Sequence, residues 1–93
     1  MTYKLAFNVS ALKEWKKLGS TVREQFKKKL QERLENPCVP AAQLHGRKDQ
    51  YKIKLRGAGY RLVYKVEEEI ITVTVIGVGK RENDEIYTAT RFR

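Results

Sequence analysis

Acid–base and nucleophilic chemistry rests on a short list of side chains, and this sequence holds few of them. It has one histidine, His45, and one cysteine, Cys38. A lone imidazole beside Gly46 has no second histidine with which to divide acid and base roles, and reads as a bystander or a minor RNA contact. A thiol following Pro37, with no histidine nearby in sequence, lacks the base that activates a cysteine nucleophile. One His and one Cys also fall short of a conventional metal ligand set. Neither a carboxylate pair for glycoside hydrolysis nor a phosphate-cradling P-loop is present. Gly57-x-Gly59 and Gly77-x-Gly79 are two-glycine fragments, better explained as a turn and a strand bend.

Lysine, arginine and tyrosine remain. Lys52, Lys54 and Arg56 alternate strictly with Tyr51, Ile53 and Leu55, Arg61 follows in the next apolar run, and Lys80-Arg81 ends the last one, with Tyr87 six residues further on. Taken alone, Tyr87 reads as a terminal aromatic packing on a sheet. Together with the basic residues it supplies the parts for cleaving a phosphodiester by the 2′-OH of the RNA itself. That reaction needs a group to take the 2′ proton, cations for the pentavalent phosphorane, and a proton for the 5′ oxygen. A phenol is a poor base at neutral pH, but clustered cations favour its ionised form. No metal or cofactor is needed for such a scheme.

Charge supports a polyanionic partner. The 93 residues carry 20 Lys and Arg against 11 Asp and Glu, a net +9. Residues 43–66 hold seven bases against Asp49 alone, residues 10–36 are moderately basic, and the stretch from Glu67 onward is mildly acidic. A basic centre is a localised patch, and nucleic acid is the partner it suits best. No apolar run approaches the length of a membrane span and no charged-then-apolar leader is seen, so the expectation is a cytoplasmic protein without a membrane partner. One cysteine excludes an intramolecular disulfide. The length predicts one domain over residues 1–93.

Positioning these groups requires a sheet. Tyr3, Leu5 and Phe7 alternate as in a strand near residues 2–7. A first helix, capped by Asn8 or Ser10, carries Leu12, Trp15 and Leu18 on its apolar side, with Gly19 as its C-terminal stop. Thr21 with Glu24 forms a capping box for a second helix, with Ser20 the competing cap. That helix places Val22, Phe26, Leu30 and Leu34 on one face and Lys27, Lys28 and Arg33 on the other, and Asn36-Pro37 ends it. After a loop over residues 37–46 come strands at 51–56, 60–66 and 70–78, then one or two turns of helix within 82–90. The fold class is α+β: β-α-α-β-β-β, a mainly antiparallel sheet with a helical pair on one face and a short C-terminal helix.

Register follows from matching faces, because a one-residue slip turns every side chain over. A tight turn at Gly57-Ala58 pairs Arg56 with Gly59, Lys54 with Arg61, Ile53 with Leu62 and Tyr51 with Tyr64. The three-residue alternative sets Lys54 against Leu62 and mixes the faces. Lys52, Lys54, Arg56 and Arg61 then share one surface, where directly opposed like charges are destabilising. Tolerated repulsion of this kind is what an anion-binding surface requires.

Five segments carry a further likeness: Ala11-Leu12-Lys13-Glu14-Trp15, Lys17-Leu18-Gly19-Ser20-Thr21-Val22-Arg23-Glu24-Gln25, Tyr51-Lys52-Ile53-Lys54-Leu55-Arg56, Gly59-Tyr60-Arg61-Leu62-Val63-Tyr64 and Val78-Gly79-Lys80-Arg81-Glu82. Over most of its length the chain resembles the RelE family of the RelE/ParE toxin superfamily, the ribosome-dependent mRNA interferases of type II toxin–antitoxin pairs. The resemblance implies the same β-α-α-β-β-β fold, cleavage of mRNA in the ribosomal A site, and a catalytic set of Lys52, Lys54, Arg61, Arg81 and Tyr87. It would make Tyr87 the general base toward the 2′-OH and a stacking partner for a base. Arg61 and Arg81 would stabilise the phosphorane, Lys54 (or Arg81) would protonate the leaving oxygen, and Lys52 would assist electrostatically. Lys27, Lys28, Arg33, His45, Arg47 and Arg56 would contact RNA, largely through phosphates and without sequence preference. The partners implied are 16S rRNA and A-site mRNA of the ribosome and an acidic, RelB-like antitoxin, with DNA reached only through the toxin–antitoxin complex. The tail after Tyr87 is shorter than the closing amphipathic helix expected of the family, and His45 stands where a more basic residue is usual. The competing readings are a ParE-like gyrase poison that binds a protein and cleaves nothing, and a non-catalytic RNA-binding module or DNA-binding repressor. The Lys52, Lys54, Arg81 and Tyr87 set argues against the first. The absence of a helix-turn-helix pattern argues against the repressor.

Overall fold

Alternation of apolar and basic residues in the chain's second half becomes the centre of a four-stranded sheet in the computed structural model, which describes residues 2–55, 57, 59–80 and 85–90. The strands are β1 (Lys4–Phe7), β2 (Gln50–Leu55), β3 (Tyr60–Glu67) and β4 (Thr72–Lys80), in the spatial order β1-β4-β3-β2. β2, β3 and β4 form an antiparallel meander, and β1 joins β4 in parallel. Ile53 faces Leu62, Tyr51 faces Tyr64 and Lys54 faces Arg61, the register that face matching predicts. Arg56 lies outside the described residues, so its pairing with Gly59 does too. Gly59 takes a left-handed φ of 70° and donates its N–H to Leu55 O at 2.9 Å, closing the turn.

The helices are α1 (Val9–Lys16), α2 (Ser20–Glu35) and α3 (Glu85–Thr90). Asn8 caps α1, its side chain accepting from Ala11 N at 2.7 Å. Two local expectations change. Gly19 has φ −64° and sits at the N-cap of α2, not at a left-handed stop after α1. The Thr21–Glu24 capping box does not form, because α2 begins at Ser20; Glu24 pairs with Lys27 instead, at 3.3 Å. On α1 Ala11 is buried and Trp15 half-buried against the core, Leu18 is buried just beyond the helix, and Leu12 is exposed.

The main core lies between the α1–α2 pair and one face of the sheet. Phe26 and Leu30 of α2 meet Ile53, Leu55, Leu62, Tyr64, Val73, Val75 and Val78 there. Phe7, Trp15 and Phe26 form an aromatic chain with centroid spacings of 5.2 and 6.3 Å, joining β1, α1 and α2. Gly77 stands opposite Val63 where the β3–β4 register shifts by one residue. The shift lets Val75 and Val78 both enter the main core while Ile76 turns to the opposite face. There, Val63, Ile76 and Ile86 make a second, smaller core beneath α3.

Two buried phenols make the fold sensitive to alkali. Burial, reinforced by the neighbouring Cys38 thiol, pushes the Tyr51 phenol up to about 12 from an ordinary value of 10.0. Burial also raises Tyr64, although the Arg33 guanidinium opposes it. A raised folded-state pKa means that the folded protein holds protons that the unfolded chain has released, so this stabilisation is complete below pH 10 and disappears as pH rises toward 12. The urea midpoint of the protein should therefore fall across that window. Tyr51→Phe, compared with the parent after each is referred to its own midpoint at pH 8, should show a shallower fall; equal slopes would remove Tyr51 as the cause.

Candidate active site

The β2–β3 ladder places the predicted cations residue by residue. Lys54 lies directly across from Arg61, and Lys52 across from Val63, all on the sheet face opposite the main core. Cβ atoms so opposed are about 4.5–5.5 Å apart. Lys54 is exposed, and Lys52 and Arg61 are half-buried. No Asp or Glu occurs in Gln50–Leu55 or Tyr60–Lys65. Further along β3, Glu67 is engaged with Lys65 at 3.9 Å and Thr74 at 3.1 Å, at the strand's far end.

Arg61 is poised for an anion. Its Nη1 donates to Tyr60 O at 3.1 Å, but its buried Nε has no hydrogen-bond partner among the described residues. An unmatched buried donor costs about 1–3 kcal/mol, and more when charged, so such a group in a folded protein calls for an explanation. An acceptor arriving from outside supplies one. Across the β3–β4 ladder Arg61 faces Gly79, whose missing side chain keeps that flank open; a Cβ there would come 3.9 Å from Ile86 Cδ1 of α3.

α3 brings Tyr87 to the same face. Half-buried, Tyr87 packs with Leu44 against the Val63, Ile76 and Ile86 cluster. Val63 is the cross-strand neighbour of Lys52, and Arg61 lies two residues along β3, roughly 7 Å away at the usual strand rise. The structure thus gathers Lys52, Lys54, Arg61 and Tyr87 on one surface. Arg81 and Arg56, expected there as well, lie outside the described residues.

The remaining expected RNA contacts divide. Lys27 and Lys28 are exposed on α2, and Lys28, Lys29 and Lys54 line a groove between α2 and β2. His45 is exposed in the loop before β2. Arg33, expected on the polar side of α2, turns toward the sheet: it donates to Tyr64 Oη at 2.9 Å and Lys52 O at 3.3 Å, and lies 5.8 Å from the Tyr64 ring centroid. The signal was present, since position 33 follows Leu30 by three and Phe26 by seven and so flanks the buried stripe. Arg47 is turned inward too, donating to Gln50, Thr90 and the Tyr87 carbonyl oxygen. Nothing in the local sequence marks it, because its partners on α3 lie about forty residues away. Glu14 was also passed over. Its Oε1 accepts from Val78 N at 3.2 Å, tying α1 to β4 just beyond the register shift. A carboxylate between Ala11 and Leu18 on a buried stripe was the available sign.

Known proteins resemble this chain in sequence and fold. Residues 5–85 match the family model described as ParE toxin of type II toxin-antitoxin system, parDE. The mRNA interferase toxin RelE of Escherichia coli strain K12 is 61% identical over 88 residues, covering 95% of this chain and 93% of that protein. A solved E. coli RelE, a double arginine-to-alanine mutant in the free state, superposes with a TM-score of 0.91 at 57% identity, over 100% of both chains. RelE in the intact E. coli RelBE toxin–antitoxin complex gives a TM-score of 0.83 at 62% identity, covering 86% of this chain and 98% of that one. The family model takes in most of the chain, and the 61% identity to RelE singles out one part of the family. The chain is a member of the ParE toxin family of type II toxin–antitoxin systems and belongs to its RelE group of mRNA interferases.

Proposed function

We propose that this chain cleaves mRNA in the ribosomal A site, and that the groups responsible are Lys52, Lys54, Arg61, Arg81 and Tyr87. The observation that supports this most directly is the cationic surface over Gln50–Leu55 and Tyr60–Lys65, stretches without Asp or Glu, with a tyrosine held beside it. Tyr87, as phenolate, takes the 2′ proton; the 2′ oxygen attacks phosphorus; the bond to the 5′ oxygen breaks as Lys54 or Arg81 supplies a proton to it. A 2′,3′-cyclic phosphate and a 5′-hydroxyl result. Arg61 and Arg81 bind the equatorial oxygens, whose charge grows in the transition state, and Lys52 adds to the field. The set has no strong base at neutral pH. Dependence on the ribosome suits it, because holding the 2′-OH in line with the phosphate removes several kcal/mol of barrier before any proton moves. Exposed Lys27 and Lys28 hold ribosomal RNA phosphates in a salt-dependent manner.

The whole of residues 1–93 acts as one toxin unit in the cytoplasm. Its partner in the resting cell is an acidic RelB-like antitoxin that covers the basic surface, as the RelE relative is found in a complex with RelB. DNA is reached only through that complex. No helix among the described residues is long and apolar enough to cross a membrane.

Primer extension on mRNA from a translating extract should show new 5′ ends at A-site codons when the protein is added, and none when ribosomes are omitted. Absence of such ends would leave the ParE-like reading, action on a protein target, as the better one. Tyr87→Phe and Arg81→Ala should each slow single-turnover cleavage by orders of magnitude with ribosome affinity nearly unchanged; affinity lost in step with rate would make them docking residues. A third outcome concerns the free protein. Arg61→Met keeps much of the volume and deletes the unmatched Nε, so it should raise the urea midpoint by the equivalent of about 1 kcal/mol while abolishing cleavage. A lower midpoint would mean that Arg61 serves the fold.

A further inference from the structure

α3 carries Tyr87, and a helical segment holds its shape in water mainly through its packing. Among the described residues, three features anchor it. Ile86 is buried in the small core with Val63 and Ile76. Thr90 is fully buried, and its Oγ1 turns back on the carbonyls of Ile86 at 2.9 Å and Tyr87 at 3.2 Å. The third is Arg47. Its Nη2 donates to Tyr87 O, and its Nη1 to Thr90 Oγ1 and Gln50 Oε1, both at 3.0 Å.

The guanidinium thus binds a backbone oxygen and a side-chain oxygen of α3 directly. Arg47 also reaches the opposite side of the site. Its backbone N–H donates to Leu44 O at 3.1 Å, Leu44 packs on the same small core, and Gln50 is the first residue of β2, the strand that carries Lys52 and Lys54. One side chain therefore joins the start of the cationic strand to the backbone oxygen of the residue that bears the phenol.

We propose that Arg47 is a positioning residue for Tyr87: its guanidinium ties α3 to the start of β2 and so fixes the turn of helix that bears the phenol. It is not primarily a phosphate contact, as an arginine in a basic loop would suggest. The inference rests on the reading above that Tyr87 acts in cleavage. The fork geometry matters, because two nitrogens of one planar group serve Tyr87 O and the Thr90 Oγ1–Gln50 Oε1 pair at once, an arrangement a point-charge ammonium does not reproduce.

The test uses the full chain with Arg47→Met and Arg47→Lys. In the free protein, amide hydrogen exchange over residues 85–90 should speed up by on the order of tenfold in both variants, the rest of the sheet keeping its protection. On ribosomes programmed with mRNA and saturated with toxin, single-turnover cleavage should fall by roughly 10- to 100-fold, as expected when a reacting group is displaced by about 1 Å. Ribosome affinity and its salt dependence should match the parent in both. In a Tyr87→Phe background, Arg47→Met should cost nothing further. Unchanged exchange over 85–90 overturns the proposal. So does loss of affinity with a salt slope lowered by about one, the mark of a lost phosphate contact, and so does full recovery of rate by Arg47→Lys. Should Tyr87→Phe alone leave cleavage intact, the catalytic reading fails, and the exchange measurement still decides whether Arg47 clamps α3.

Discussion

The pairing of β2 with β3 is the constraint on which the rest of this molecule depends. One backbone register serves two opposed purposes. On the inner face it sets Ile53 against Leu62 and stacks Tyr51 on Tyr64 with ring centroids 5.6 Å apart. On the outer face the same hydrogen bonds set Lys54 against Arg61. Cross-strand repulsion of this kind costs tenths of a kcal/mol to about 1 kcal/mol. Each fully buried aliphatic side chain contributes about 1.5–3 kcal/mol. The core outweighs the repulsion several times over, so the fold can hold cations together that would separate if free. A slip of one residue would move the cations inside and the core outside, so the register has no near competitor.

Around that hairpin the outer face is divided along its length. Lys54 and Arg61 occupy the end near the turn, and Val63 begins an apolar patch that α3 covers. The register shift at Gly77 makes this division feasible, because it sends Ile76 to the outer face without withdrawing Val75 or Val78 from the inner one. The phenol consequently rides on α3, which the small core and the Arg47 contacts hold among the described residues. The cations ride on the β2–β3 hairpin, with β2 at the edge of the sheet and β3 inside it.

Legibility followed the range of the forces. The strands, the hairpin register, the buried side of α2 and the cationic face were readable because alternation and four-residue spacing report burial directly. Local capping was read less well. Gly19 and the Thr21–Glu24 pair fitted known end motifs, but the start of α2 at Ser20 left neither in the required place. Arg33, expected on the polar side of α2, and Glu14, for which no role was expected, both stand at the margin of an apolar stripe, and each bonds a backbone or phenolic group of the sheet. Arg47 was beyond reach, its role depending on a helix that returns from the far end of the chain.

The chain's own residues therefore determined which chemistry was open to it. With a single histidine, a single cysteine and no paired carboxylates, only cations and phenols remained, and period-two alternation put the cations on one surface. Tertiary structure decided how they are completed. It brought Tyr87 to that surface, left Arg61 Nε without a partner among the described residues, and turned Arg47 from a surface charge into a tie between α3 and β2. The physical reason is that periodicity encodes which face of an element is buried. Which elements meet across that face is settled by packing among residues far apart in the chain.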